Sequence, residues 1–172
     1  GVLVTVQGLD SSYNEISEEV TLAGSGTATT TATFLRVYRA FISGSTEPDG
    51  VISIANGGTT YASINGDHQT LMALWTVPAG YTAYLFQYDV TAFTEQNNKV
   101  ATIRILTREL NGVFRTQHIF DTFQDSFHQA LEAPIPIPEK TDIEFRAVAS
   151  SNNADLKISA AFDIIYIANT AP

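Results

Sequence analysis

Turn signals punctuate this chain roughly every ten residues, and that spacing leaves little room for long helices. They include Gly24-Ser25-Gly26, Pro48-Asp49-Gly50, Asn56-Gly57-Gly58, Asn65-Gly66-Asp67, Pro78-Ala79-Gly80, Gln96-Asn97-Asn98, Asn111-Gly112 and Ser151-Asn152-Asn153. Many short segments closed by Gly, Pro and Asn are the pattern of an all-β sandwich or barrel. Thr, Val, Ile, Phe and Tyr fill the segments between, and these residues suit a pleated, half-buried surface. No window shows a clear helical period. With 44% hydrophobic and 16% charged residues, the chain is not disordered. Its 172 residues suffice for one domain that buries about 70% of its unfolded surface.

Strands are expected near 2–7, 15–22, 33–43, 51–55, 59–64, 70–77, 81–91, 99–110, 113–121, 141–149 and 156–167. Alternation sets their faces. Ile143, Phe145, Ala147 and Ala149 share one side of their strand, with Asp142, Glu144 and Arg146 on the other. Leu156, Ile158, Ala160, Phe162 and Ile164 form another inward row, and Tyr84, Phe86, Tyr88 and Val90 a third. Three hairpins are expected: a type I′ turn at Asn111-Gly112, one at Pro78-Ala79-Gly80, and one at Ser151–Ala154. Segment 122–133 fits either a short helix, through Phe123, Phe127 and Leu131, or a strand. A strand or extended loop is preferred because Pro134, Pro136 and Pro138 prolong an extended path, and that Pro-rich stretch cannot be a central strand. Gly24–Thr33 is either a loop within a domain or a joint between an N-terminal arm and the main body. The expected fold is a single all-β domain over 1–172, a two-sheet β-sandwich with little or no helix, with 1–12 as a candidate extended arm.

The side-chain inventory excludes several chemistries. Cys is absent, so disulfides, thiolate metal sites and a Cys nucleophile are excluded. The formal net charge of −9 argues against broad nucleic-acid binding. No apolar run is long enough for a membrane span, and the start does not resemble a signal peptide. Among the three His, His118 shares a strand face with Phe114, Thr116 and Phe120 and is expected in the core; His68 is expected in a solvated loop. None has metal-site spacing, so no metal and no cofactor is expected. Glu15, Glu18 and Glu19, with Asp121 and Asp125, read as solvated acids rather than a catalytic pair. Glu18 shares a face with Ile16, Val20 and Leu22 and is expected to pair with Arg36 or Arg39. Trp75, Tyr61 and Tyr81 are candidates for sugar stacking, though the run Leu71–Trp75 favours burial of Trp75.

Four blocks resemble virion structural proteins of tailed bacteriophages, notably marine phages: YNEISEEVTLAG (13–24), FLRVYRAFI (34–42), QTLMALWTVPAGYTAYLFQYDV (69–90) and PEKTDIEFRA (138–147). The resemblance implies a jelly-roll and a non-enzymatic role, most simply a head decoration (cement) protein. Such a protein sits on the outer surface of the phage head, binds the major capsid protein or other virion proteins, and assembles with itself, often as a trimer. A neck, tail or fibre component is the alternative within the virion, and a carbohydrate-binding β-sandwich the alternative outside it.

Two strands are candidates for the partner interface. Ile165 and Ile167 put apolar groups on the otherwise polar outer face of the last strand, where a homo-oligomer contact is expected. Val2, Val4 and Val6 alternate in the first strand, followed by the acids Asp10, Glu15, Glu18 and Glu19. This segment fits an acidic attachment arm seated on a neighbour, or the first strand of the sandwich itself.

Overall fold

The computed structural model describes residues 1–93, 100–122, 126–149 and 157–170, and it holds twelve β-strands with no helix among them. The chain divides into two compact units, Gly1–Met72 and Ala73–Pro172, where the sequence reads as one. The boundary falls inside the apolar stretch expected to form one strand over 70–77.

The first unit holds β1 (Val2–Leu9), β2 (Glu15–Leu22), β3 (Arg36–Ile42), β4 (Ile52–Asn56) and β5 (Thr59–Ile64). β1 is the middle strand of an antiparallel sheet in the order β2-β1-β3. Its alternate side chains Val4 and Val6 join Ala40 and Ile64 in the core, with Val20, Leu22, Val37 and Ile54 packed around them. β4 and β5 form a separate hairpin. Gly57 and Gly58 both have positive φ there and lie between paired Asn56 and Thr59, as a two-residue type I′ turn demands. Thr70 ties the end of this unit to β3: its N–H donates to the Ala40 carbonyl, and its hydroxyl accepts from the Ala40 N–H.

Gly8 marks a close approach. A Cβ there would lie 1.9 Å from the Arg36 carbonyl oxygen and 2.9 Å from Phe34 Cδ1, beside the irregularity where β1 and β3 change register. Gly8→Ala is therefore expected to destabilise the chain by about 1–3 kcal/mol through overpacking. A lowered urea midpoint at unchanged slope is the expected reading.

The second unit holds β6 (Leu74–Thr76), β7 (Tyr81–Phe93), β8 (Ala101–Arg108), β9 (Arg115–Thr122), β10 (Ser126–Ile137), β11 (Asp142–Ala149) and β12 (Lys157–Ala168). They form two antiparallel sheets, in the orders β6-β11-β8-β9 and β10-β7-β12. Ala83, Leu85, Tyr88, Val90 and Ala92 of β7 share one core with Ile103 and Ile105 of β8 and with Ile143 and Phe145 of β11. Two sheets contributing to one core is the arrangement of a β-sandwich. Ile158, Ala160, Phe162 and Ile164 pack against it from β12, as their alternation requires. Phe145 stacks on Phe162 with centroids 5.2 Å apart, and Phe120 and Phe127 lie 4.6 Å apart beside Tyr88.

Asp142 fastens three strands of the larger sheet. Its side chain accepts from Thr76 Oγ1 at 2.6 Å on β6 and from Arg108 Nε at 2.7 Å on β8, with a second bond from the Arg108 Nη2.

Several local expectations are corrected. Pro78-Ala79-Gly80 does not close a hairpin, because β6 and β7 lie in different sheets; β11 and β12 likewise lie in different sheets and do not pair. Short connections in a sandwich cross between layers as readily as they turn within one. The Ser151–Ala154 turn itself, like Gln96-Asn97-Asn98, Phe123, Asp125 and Leu156, lies outside the described residues. Asn111-Gly112 does sit between paired β8 and β9, but not as a type I′ turn: Asn111 has a φ of 60° while Gly112 is not among the positive-φ glycines. Gly112 N–H instead closes a turn on the Glu109 carbonyl at 2.8 Å. The row Tyr84, Phe86, Tyr88, Val90 changes phase, because Phe86 is an extra residue opposite the Asp163/Ile164 step of β12. Ala83 and Leu85 therefore face the core before this point, and Tyr88 and Val90 after it.

Residues 126–137 form a strand, and it lies at a sheet edge. Its pairing with β7 breaks between Ala130 and Ile135, around Pro134. A residue without an N–H is tolerated there for the reason the sequence suggested.

Candidate functional site

Ile165 and Ile167 lie on the face of the β10-β7-β12 sheet turned away from the core, opposite Tyr84 and Thr82. They are 56% and 57% exposed, a level that leaves both side chains open to a partner. Phe86, at 38%, adds further exposed apolar surface on the same sheet. Farther along that face, the groups are polar and paired with one another. Gln87 donates to Asp163 at 2.7 Å, and His128 Nδ1 lies 2.5 Å from Asp89. The face thus changes from satisfied polar groups to apolar ones toward the end of β12.

Val2, Val4 and Val6 occupy a different place. Val4 and Val6 are 2% and 5% exposed, and Val2 packs against the same core. β1 is hydrogen-bonded on both sides, so these residues hold the first unit together and do not form an attachment arm. The accompanying acids are also engaged locally. Asp10 accepts from the N–H groups of Ser12 and Asn14 and shapes the β1–β2 turn. Glu19 accepts from Ser43 at 2.6 Å, and Glu15 from Tyr38 at 3.4 Å.

Glu18 does not pair with Arg36 or Arg39 as expected. It accepts from the N–H groups of Thr31 and Ala32 at 2.8 and 2.7 Å, and from the Thr31 hydroxyl. It thereby pins the Gly24–Thr33 segment as a loop within the first unit. The Thr31 N–H, then the Ala32 N–H, hold its carboxyl below the ordinary glutamate range. A lowered folded-state value stabilises the fold above the unfolded value of about 4.3, and that contribution is lost as pH falls through the folded value. Glu18→Gln is therefore expected to narrow the difference in urea midpoint between pH 7 and pH 3, with the change at pH 7.

The suspected catalytic and binding groups are dispersed. His118 is exposed on β9, not in the core. β9 is an end strand, and its pairing shifts at Ile105/Leu106, which lets His118 lie over the rim of Tyr88 with centroids 6.1 Å apart. His68, in its turn, contacts Glu47 at 2.6 Å. Among the described residues, no three His, Asp or Glu side chains converge as a cation site. Trp75 is half-buried against the core, 5.4 Å from Tyr166, which in turn meets Tyr81 at 5.2 Å. Tyr61 is 62% exposed on β5 of the first unit and has no part in that cluster.

The sequence could not show one further arrangement. Two guanidinium groups approach the Phe114 ring, Arg108 at 4.4 Å and Arg146 at 4.7 Å from its centroid. Arg146 is also held by Glu144 through two hydrogen bonds. These contacts brace the larger sheet.

Comparison with family models, curated proteins and solved structures found no match to this chain.

Proposed function

We propose that this chain is a non-enzymatic virion structural protein of a tailed bacteriophage, a decoration protein that binds the outside of the head and stabilises it. The structural observation that supports the fold part of this reading is the strand order of the second unit. β6 pairs with β11, β7 with β10, and β8 with β9. These pairs are nested, as in an antiparallel ribbon folded back on itself. The remaining pairs, β7 with β12 and β8 with β11, are those that form when such a ribbon is wrapped into two layers. That order supports a jelly-roll with one outer strand fewer than the usual eight. It agrees with the fold implied by the four resembling blocks. Because one fold hosts many functions, the virion role rests on those blocks.

The physical logic of the role is simple. A protein that binds the assembled lattice better than free subunits stabilises the lattice by mass action. It needs rigid walls and an apolar contact face, and Ile165 and Ile167 provide such a face. Self-association on the head belongs to the same proposal. Mass spectrometry of gradient-purified virions tests it: the chain is expected in many copies per particle. Its absence from particles overturns the reading, and a low copy number favours the neck, tail or fibre alternative.

A second reading, adhesion to host glycans, is favoured by the Trp75–Tyr166–Tyr81 ring cluster, in which Tyr166 is 40% exposed. Titration of glycans against Trp75 fluorescence tests that alternative, and an unchanged spectrum discards it.

A further inference from the structure

Exposed strand edges invite pairing with other chains, and folded proteins blunt them with prolines, bulges, charges or short length. Three of the four end strands in the second unit are blunted by short length, proline or a bulge. β6 has only three residues. β10 carries Pro134 and Pro136 and a break in pairing. β9 bulges at Gln117, the residue passed over between His118 and Thr116. β12 carries the charges Lys157 and Asp163, but its last five residues, Ile164–Ala168, have no such device. It runs for twelve residues without Pro or Gly, and its one pairing irregularity places the extra residue on β7. Ile165 and Ile167 stand exposed near its end.

We propose that the edge of β12 left without a strand partner among the described residues pairs antiparallel with β12 of a second copy across a two-fold axis, with Ile165 of each copy opposite Ile167 of the other. The proposal deepens the self-association in the preceding reading and uses nothing about where on a particle the protein sits.

The register follows from chemistry. Asn169 N–H donates to the Gly80 carbonyl at 2.8 Å, on the β7 side. Peptide groups alternate along a strand, so those of odd-numbered residues here face β7, and even-numbered ones such as Ala168 face the open edge. Ile165 and Ile167 then occupy non-hydrogen-bonded positions, where facing side chains approach most closely. With Ile165 opposite Ile167 of the second copy, Asp163 falls opposite Asn169. The Asn169 Oδ1 accepts from the Thr82 hydroxyl at 2.7 Å, which leaves its amide hydrogens to reach the facing Asp163 carboxylate. Sliding the pair by two residues sets Asp163 against Ile167 in one direction and Ile165 against Asn169 in the other, so either slide places a polar group against an aliphatic one. The strand is therefore complementary to itself in one register, which is what an isologous two-fold contact requires. The smallest unit is then a dimer, not the trimer that the resemblance implies.

The test uses the full chain in solution, without particles. Light scattering is expected to give two copies of the 18.6 kDa chain at micromolar concentration. Ile165→Ser with Ile167→Ser should weaken the dimer by on the order of 100-fold, from the loss of buried aliphatic area. Ala168→Pro removes an outward N–H that β7 does not use, so it should give monomer with an unchanged strand signal in circular dichroism. The chain has no Cys, so Ile165→Cys with Ile167→Cys should form a covalent dimer on oxidation, while Ile165→Cys alone should not. A monomer at every concentration overturns the proposal. So does an oligomer that survives Ala168→Pro and resists cross-linking by the cysteine pair, since the contact would then lie on another surface. Either failure leaves the presence of the chain in virions to be decided separately.

Discussion

Deleting residues 1–12 is expected to unfold the first compact unit. β1 is the middle of its three-stranded sheet, so the deletion removes the hydrogen-bonding partner of β2 and β3 together. It also removes Val4, Val6 and Leu9, which are 2%, 5% and 0% exposed. Truncating a single buried aliphatic residue costs about 2–5 kcal/mol. Losing three, with two strand ladders, exceeds much of the roughly 5–15 kcal/mol that holds a typical domain together. In hydrogen exchange followed by mass spectrometry, residues 13–72 should lose their protection. An attachment arm would behave differently, because its removal would leave protection in this unit unchanged while weakening binding to particles.

Replacing Asp142 by Ala is expected to cost about 3 kcal/mol. Asp142 is 2% exposed, and its carboxylate joins Thr76 of β6 to Arg108 of β8. Removing one partner of a buried ion pair typically costs about 3–5 kcal/mol, since the other charge stays behind without compensation. The Arg108 side chain is 31% exposed, so water recovers part of that loss and the lower figure applies. For a chain of this size, the melting temperature should fall by roughly 10 °C. Asp142→Asn should fall between, because its single amide oxygen can still accept from Arg108, and its NH2 can donate to the Thr76 hydroxyl, while the charge is gone. A melting temperature unchanged in both variants would show that the three-strand clasp contributes nothing to stability.

The strands were legible because their signals are local. Turn residues and alternation located segments such as Glu15–Leu22 and Asp142–Ala149 nearly to the residue. The edge position of β10 was legible because Pro134 and Pro136 lack the N–H that a central strand needs. What each strand pairs with is a long-range property, and no local signal carries it. A short turn such as Pro78-Ala79-Gly80 has the same residues whether it folds a strand back on itself or carries the chain to the other layer. The division at Met72 was equally hidden: Leu71–Trp75 is one continuous apolar run, yet Thr70 just before it bonds to Ala40 and Trp75 at its end pairs with Ile143.

The candidate surface was half legible. The outward apolar pair Ile165 and Ile167 could be seen from alternation, because two Ile in polar register break an otherwise clean pattern. The first strand misled for the opposite reason. Val2, Val4 and Val6 alternate as a partner-seeking strand would, and burial between β2 and β3 could not be read from them. Glu18 shows the same limit, since a carboxylate can be satisfied by backbone N–H groups that no residue type announces.

The proposed role makes this chain an assembly component of a phage head. A cryo-electron microscopy map of the virion that carries it tests that claim most directly. Sandwich-shaped density, into which Ala73–Pro172 fits, is expected at equivalent positions on the outer face of the head shell. A head shell bare of such density would overturn the head assignment, wherever else in the particle the chain were found.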